Sequence, residues 1–268
     1  MYVIGDVHGQ YDKMIAALRA AGLVDGANHW RGGRGTLWFM GDYFDRGPDG
    51  IAVVERIMAL QDEAATAGGR VGALLGNHDV LILAAHRFGD RRIGDPRSGD
   101  RPGGPGSSFL ASWRANGGEA SDLARLSAAH VAWLCDLPAL ALSGGRLLAH
   151  ADATFYQVYG RAVPAVNHAI RALLRGDDPR AWDRLLDYFS QRRAFQDRDL
   201  GPARVGRVLA LYGGRQLVHG HTPIAKLAGS RPESVSGPLV YAGGLAVDVD
   251  AGMYLGGRGF VACLPDEE

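Results

Sequence analysis

Lysine is nearly missing from this chain: Lys13 and Lys226 are the only two among 29 basic residues. Arginine supplies the rest, a bias that fits a GC-rich genome, and its planar fork also suits phosphate. Cysteine is equally scarce, with Cys135 and Cys263 each set in an apolar run. Two such residues exclude a disulfide framework and a cysteine zinc knot, and are expected to be buried, inert thiols in a reducing cytoplasm. No apolar run approaches the ~20 residues of a membrane-spanning helix. The opening Met1-Tyr2-Val3-Ile4 runs straight into a glycine–aspartate loop without a leader pattern, so the expected location is cytoplasmic. Net charge is absent too, because 29 acidic residues balance the bases. No global field draws the molecule to an anionic membrane, and no extended nucleic-acid surface is expected.

What the chain does have is apolar content, 47% of 268 residues, enough for one large domain. Its first part repeats one design three times. Tyr2–Ile4, Thr36–Met40 and Val71–Leu75 read as buried strands, each followed by a loop and a helix-like segment. Met14, Ile15 and Leu18 share one helical face, and Ile51, Val54, Ile57 and Met58 share another. Strand–loop–helix in succession predicts parallel pairing with right-handed crossovers, so the three loops open on one sheet edge. Between 86 and 108 the pattern breaks into arginines among glycines, prolines and aspartates. This reads as a flexible insertion, or as a flap whose arginines help hold an anionic substrate. Helices are expected at 109–115, 127–135, 163–175 and 180–189, and strands at 146–149, 216–219, 238–242, 246–249 and 259–264. No composition shift divides the chain, and a single domain over 1–268 is expected.

The loops carry the chemistry. Asp6 and His8 alternate after the first strand and so face one side together. Asp42 and Asp45 stand three apart in Gly41-Asp42-Tyr43-Phe44-Asp45-Arg46-Gly47, where mutual repulsion raises one pKa unless cations neutralise them. Asn77 and His78 follow the third strand; His150 ends a later one, and His221 lies in His219-Gly220-His221-Thr222-Pro223. Oxygen and imidazole donors without thiolate suit manganese, iron or zinc. Asp6, His8, Asp42, Asn77, His150 and His221 are too many ligands for one ion. A carboxylate shared between two ions is the economical arrangement, and Asp42 is read as that bridge. His219 is read as a strand-end residue.

These blocks resemble the signatures of calcineurin-like metallophosphoesterases, specifically the phosphoprotein phosphatase branch in its bacterial form, which includes symmetrical dinucleoside-tetraphosphate hydrolases. Gly5–Gly9, Gly41–Gly47 and Gly76-Asn77-His78-Asp79 carry the likeness. Trp113-Arg114-Ala115-Asn116-Gly117-Gly118, Leu147–Ala151, Gly220–Pro223 and the hairpin at Val247–Gly257 extend it nearly end to end. The resemblance implies a four-layer α/β/β/α sandwich of two mixed sheets flanked by helices. It implies two divalent metal ions, manganese by expectation and iron or zinc otherwise, with Asp6, His8 and Asp42 at one and Asp42, Asn77, His150 and His221 at the other. His78 would be the general acid, oriented and kept cationic by Asp45. Arg46 would clamp the phosphoryl oxygens, with Arg193 as the second phosphate-binding arginine. The implied reaction is phosphomonoester hydrolysis of the phosphoserine, phosphothreonine or phosphotyrosine type, by in-line attack of a metal-bridging hydroxide. Hydrolysis of a dinucleoside polyphosphate such as diadenosine tetraphosphate is the alternative, and a non-catalytic scaffold of the same fold is the second. Asp152 stands where the family has glycine, and could take a cation, bind a water or cap the following helix.

Overall fold

Short apolar strands joined by amphipathic helices build the first sheet. In the computed structural model, which describes residues 1–91 and 107–265, β1 (Tyr2–Ile4), β2 (Thr36–Phe39) and β3 (Arg70–Ala73) pair in parallel, β1 in the middle of β3-β2-β1-β9. The outer strand β9 (Val261–Cys263) runs antiparallel to β1. The crossovers are α1 (Tyr11–Ala20) and α2 (Gly50–Thr66), whose predicted faces bury Met14, Ile15, Leu18, Ile51, Val54 and Ile57. The first turn of α2 is satisfied from two sides. Asp49 accepts from the Ala52 amide at 2.8 Å, and distant Asp122 accepts from Gly50 and Ile51 at 2.9 and 3.2 Å.

After β3 come α3 (Asn77–Phe88), α4 (Phe109–Ala115), α5 (Ala120–Arg125) and α6 (Ala128–Asp136). The second sheet follows: β4 (Leu140–Ser143), β5 (Arg146–Ala149), β6 (Leu217–His219), β7 (Leu239–Tyr241) and β8 (Ala246–Asp248), in the order β4-β5-β6-β8-β7. Its three central strands are parallel and its two edges antiparallel. Helices α7 (Val163–Arg175), α8 (Pro179–Phe189) and α9 (Gly201–Tyr212) lie between β5 and β6, and α10 (Ile224–Ala228) follows β6. The sheets meet through Val3, Trp38, Met40 and Leu74 on one side and Ala141, Leu148, Val218 and Val247 on the other. A second and larger apolar layer joins the helices to the sheets. The result is the expected four-layer sandwich.

Some expectations need revision. Of the 86–108 excursion, His86 to Phe88 complete α3, and Arg87 is tied to the Gly176 carbonyl at 2.6 Å and to Asp177 at 3.0 Å. Residues 92–106 lie outside the described residues. Cys135 is buried as expected, but Cys263 is exposed. It sits on the edge strand β9, where Ala262 takes the inward position and its neighbours face out. Helix α9 was not legible, because Gly201, Pro202 and Gly206 give it poor intrinsic propensity. Burial of Val205, Leu209 and Tyr212 holds it instead.

Asp79, in the first turn of α3, binds two loops together. Its carboxylate accepts from the amides of Gly76 at 2.8 Å, Asp42 at 3.0 Å and Tyr43 at 2.9 Å. Asp79→Ala orphans three buried amides and should lower the unfolding free energy by about 3–5 kcal/mol. Urea denaturation followed by circular dichroism reads this, and an unchanged midpoint contradicts the role.

Candidate metal centre

Each predicted ligand stands just past the carboxyl end of a parallel strand, where open α/β sheets gather their functional loops. Asp6 and His8 follow β1, Asp42 follows β2, Asn77 follows β3, His150 follows β5 and His221 follows β6. All six are buried and converge where the two sheets share a rim. His8 Nε2 lies 3.6 Å from one Asp42 oxygen, and His150 Nε2 lies 3.4 Å from the other. Donor atoms of His8, Asp42 and His78 lie within 4.8 Å of one another, as do those of Asp42, His150 and His221. Asp42 belongs to both groups. Asp6 Oδ2 is 4.0 Å from His8 Nε2, and Asn77 Oδ1 is 3.0 Å from His150 Nε2. His219 is elsewhere: its Nε2 meets the Tyr241 hydroxyl at 2.7 Å.

The backbone is bent hard to achieve this. His8, Asp42, Asp45, Arg46 and His221 all have φ between 48° and 69°, left-handed conformations that cost about 1–3 kcal/mol each for non-glycine residues. Two close approaches demand glycine. A Cβ on Gly76 would fall 2.2 Å from Asp42 Oδ1, and one on Gly220 would fall 2.2 Å from Asp6 Oδ1.

The donor set fits divalent cations. His8 and His150 each use Nδ1 on a backbone carbonyl, Phe44 at 2.9 Å and Met40 at 2.8 Å, which turns Nε2 toward the centre. Burial pushes the His8, His150 and His221 pKa values down, which eases loss of the proton that a bound cation would displace. His221 Nε2 is buried without a hydrogen-bond partner among the described residues. Burial opposes ionisation of Asp42, yet the surrounding imidazoles, His150 foremost, outweigh it and hold that carboxyl far below its ordinary range. Asp6 is pushed up by burial and then by Asp250 and Asp42, a repulsion that positive charge would relieve.

Beside the ligands stands a second array. His78 Nδ1 meets Asp45 Oδ2 at 2.6 Å, and the other Asp45 oxygen accepts from Trp113 Nε1 at 2.7 Å. Arg46 donates to His8 Nε2 at 3.0 Å and His78 Nε2 at 2.7 Å, while its amide donates to the Gly117 carbonyl at 2.8 Å. The Trp113–Gly118 block therefore backs both Asp45 and Arg46.

Asp152 does not cap the following turn. Its carboxylate accepts from the Thr222 hydroxyl at 2.8 Å and the Arg193 amide at 2.7 Å, joining the His150, His221 and arginine loops. Sequence reasoning named Arg193, whose backbone is what this contact holds, at φ 65°. The neighbouring Arg192 is the arginine of that loop whose charge helps depress His150 and His221. Sequence reasoning also missed Tyr254, whose ring lies against both His8 and Arg46. Nothing short of the folded turn at Met253–Leu255, which links β8 of one sheet to β9 of the other, signals it.

Comparison with known proteins places this geometry. A plant relative, Shewanella-like protein phosphatase 2 of Arabidopsis thaliana, is 35% identical over 83 residues, 31% of this chain and 21% of the relative. A symmetrical bis(5'-nucleosyl)-tetraphosphatase of Enterobacter sp. is 39% identical over 83 residues, 31% of this chain and 24% of the relative. The matched stretch thus spans under a quarter of either relative's length. Among solved structures, the cold-active protein-tyrosine phosphatase of a psychrophilic Shewanella species superposes with a TM-score of 0.70 at 22% identity, covering 97% of this chain and 73% of that one. A structure described as a putative diadenosine tetraphosphatase gives 0.51 at 18% identity, covering 97% and 86%. The profile of the calcineurin-like phosphoesterases matches residues 1–225, a span that contains the six candidate ligands and the His78–Asp45 pair. By that match this chain belongs to the calcineurin-like phosphoesterase family.

Proposed function

We propose that the chain is a dimetal-dependent phosphomonoester hydrolase. The observation that carries this is the His78–Asp45–Trp113 relay set beside an aspartate shared by two donor groups. Asp6, His8 and Asp42 would hold one cation, and Asp42, Asn77, His150 and His221 the other, manganese being the first to test. When bound, such ions neutralise phosphoryl charge and lower the pKa of water from 15.7 to about 7.

The chain's own residues supply positioning and proton transfer. Arg46 presents two N–H donors at the rim, now resting on ring nitrogens. Phosphoryl oxygens would take those donors, fixing the group and neutralising its equatorial charge. That exchange frees His78 Nε2 to take up a proton from solvent and pass it to the leaving oxygen, a step worth about 10²–10⁴-fold. Asp45 keeps the ring turned the right way through its contact with Nδ1. Trp113 in turn fixes Asp45. Arg192 and Arg193, on the loop tied down by Asp152, supply further positive charge at the opening.

A second reading, cleavage of a dinucleoside polyphosphate, draws on the 39% identity to a symmetrical tetraphosphatase. The wider structural likeness to a protein-tyrosine phosphatase favours the monoester. A non-catalytic scaffold sits poorly with an intact donor set and relay. Phosphopeptide and diadenosine tetraphosphate turnover, measured side by side with manganese, should favour the phosphopeptide; faster loss of the tetraphosphate reverses the assignment.

His78→Asn should keep its metals and lose about 10²–10⁴-fold in kcat on alkyl phosphates, but far less on para-nitrophenyl phosphate, whose leaving group needs no proton. Equal losses on both would remove His78 from the acid role. Asp42→Asn should fail to bind two ions per chain, as counted by plasma emission after manganese loading and desalting.

A further inference from the structure

We propose that Tyr254 is the positioning residue for Arg46, its ring holding the guanidinium so that the in-plane donors face a phosphoryl group at the metal centre. This rests on the phosphoester-hydrolase reading above. The guanidinium carbon lies 4.3 Å from the Tyr254 ring centroid. The same ring meets His8 edge-on, with centroids 4.8 Å apart. A cation–π contact covers the flat face of the guanidinium and leaves its edge free. That edge is what points to His8 and His78. Arg46 makes no carboxylate ion pair among the described residues; the Gly117 carbonyl holds its backbone amide, and the Tyr254 ring is the contact on the face of its guanidinium. Phosphoryl oxygens can replace the two ring nitrogens as acceptors without the guanidinium leaving Tyr254.

The short turn between β8 and β9 that carries the ring, where a hairpin was expected, is itself anchored. Both lysines of the chain attach to it: Lys13 Nζ donates to the Met253 carbonyl at 2.6 Å, and Lys226 Nζ reaches the Tyr254 hydroxyl at 3.4 Å. Lys13 belongs to α1, which follows β1, and Lys226 to α10, which follows β6. The ring is thus tied to elements that follow one strand of each sheet. A half-buried tyrosine serving only as filler would need neither anchor.

The test uses the full chain loaded with manganese, inorganic phosphate binding by calorimetry, and para-nitrophenyl phosphate kinetics. Tyr254→Phe keeps the π face and should hold phosphate Kd and substrate KM within about two-fold of wild type. Tyr254→Leu should weaken phosphate and raise KM by about five- to thirty-fold, with kcat within about three-fold and two metals per chain retained. Placed on Arg46→Ala, Tyr254→Leu should add nothing, because the partner of the contact is already gone. The proposal is overturned if Tyr254→Leu binds phosphate like wild type, or if Tyr254→Phe loses as much. It is equally overturned if the loss persists at full size without Arg46, or if metal is shed, which would make the ring a support for His8. Should wild type bind phosphate yet hydrolyse no monoester, the hydrolase reading fails, and the phosphate titrations alone still decide the clamp.

Discussion

One carboxylate kept ionised in a buried place governs this structure. Asp42 is enclosed almost completely, where desolvation alone would favour its neutral form. Imidazoles on both sides reverse that preference, and its own backbone is pinned from two directions. Its carbonyl accepts from the amides of Val7 and His8, while its amide donates to Asp79. The β1 loop, the β2 loop and the start of α3 are therefore set relative to one atom group. Cation binding inherits a site already assembled by hydrogen bonds between loops.

Around this centre the chain tolerates strain that an ordinary turn would shed. Asp45 and Arg46 are both left-handed and adjacent, so their side chains leave the backbone in directions a regular turn does not offer. Trp113 and Gly117 receive them. Gly118 makes this possible, since a Cβ there would overlap the Trp113 indole at 2.2 Å. A short block more than sixty residues downstream thus decides where the His78–Asp45 pair and Arg46 stand.

Much of this was readable beforehand. Strand–loop–helix periodicity gave the parallel β1, β2 and β3, and the six proposed donors were picked out at strand ends, which the fold brings to one rim because strand direction dictates where such loops gather. The sheet order of the second half was not readable, since β6, β7 and β8 are three residues each and carry little pattern. Tertiary roles of polar side chains were hidden as well. Asp79 stood only as the last residue of the Gly76–Asp79 block, and the fold shows it receiving three amides. Asp152 had three open readings, and its partners lie 41 and 70 positions away. Interactions between residues far apart in sequence leave no periodic trace, which is why the charge of Arg192 and the ring of Tyr254 escaped notice.

The proposed ligands come from both sheets: Asp6, His8, Asp42 and Asn77 from the first, His150 and His221 from the second. An ion held across that seam would act as a rivet between two layers that otherwise meet through aliphatic contacts. Cohesion of the sandwich then becomes a function of free metal activity, rising by about 2.7 kcal/mol when the ion stands at a hundred times its dissociation constant. Starvation for the ion would loosen the architecture along with silencing the chemistry.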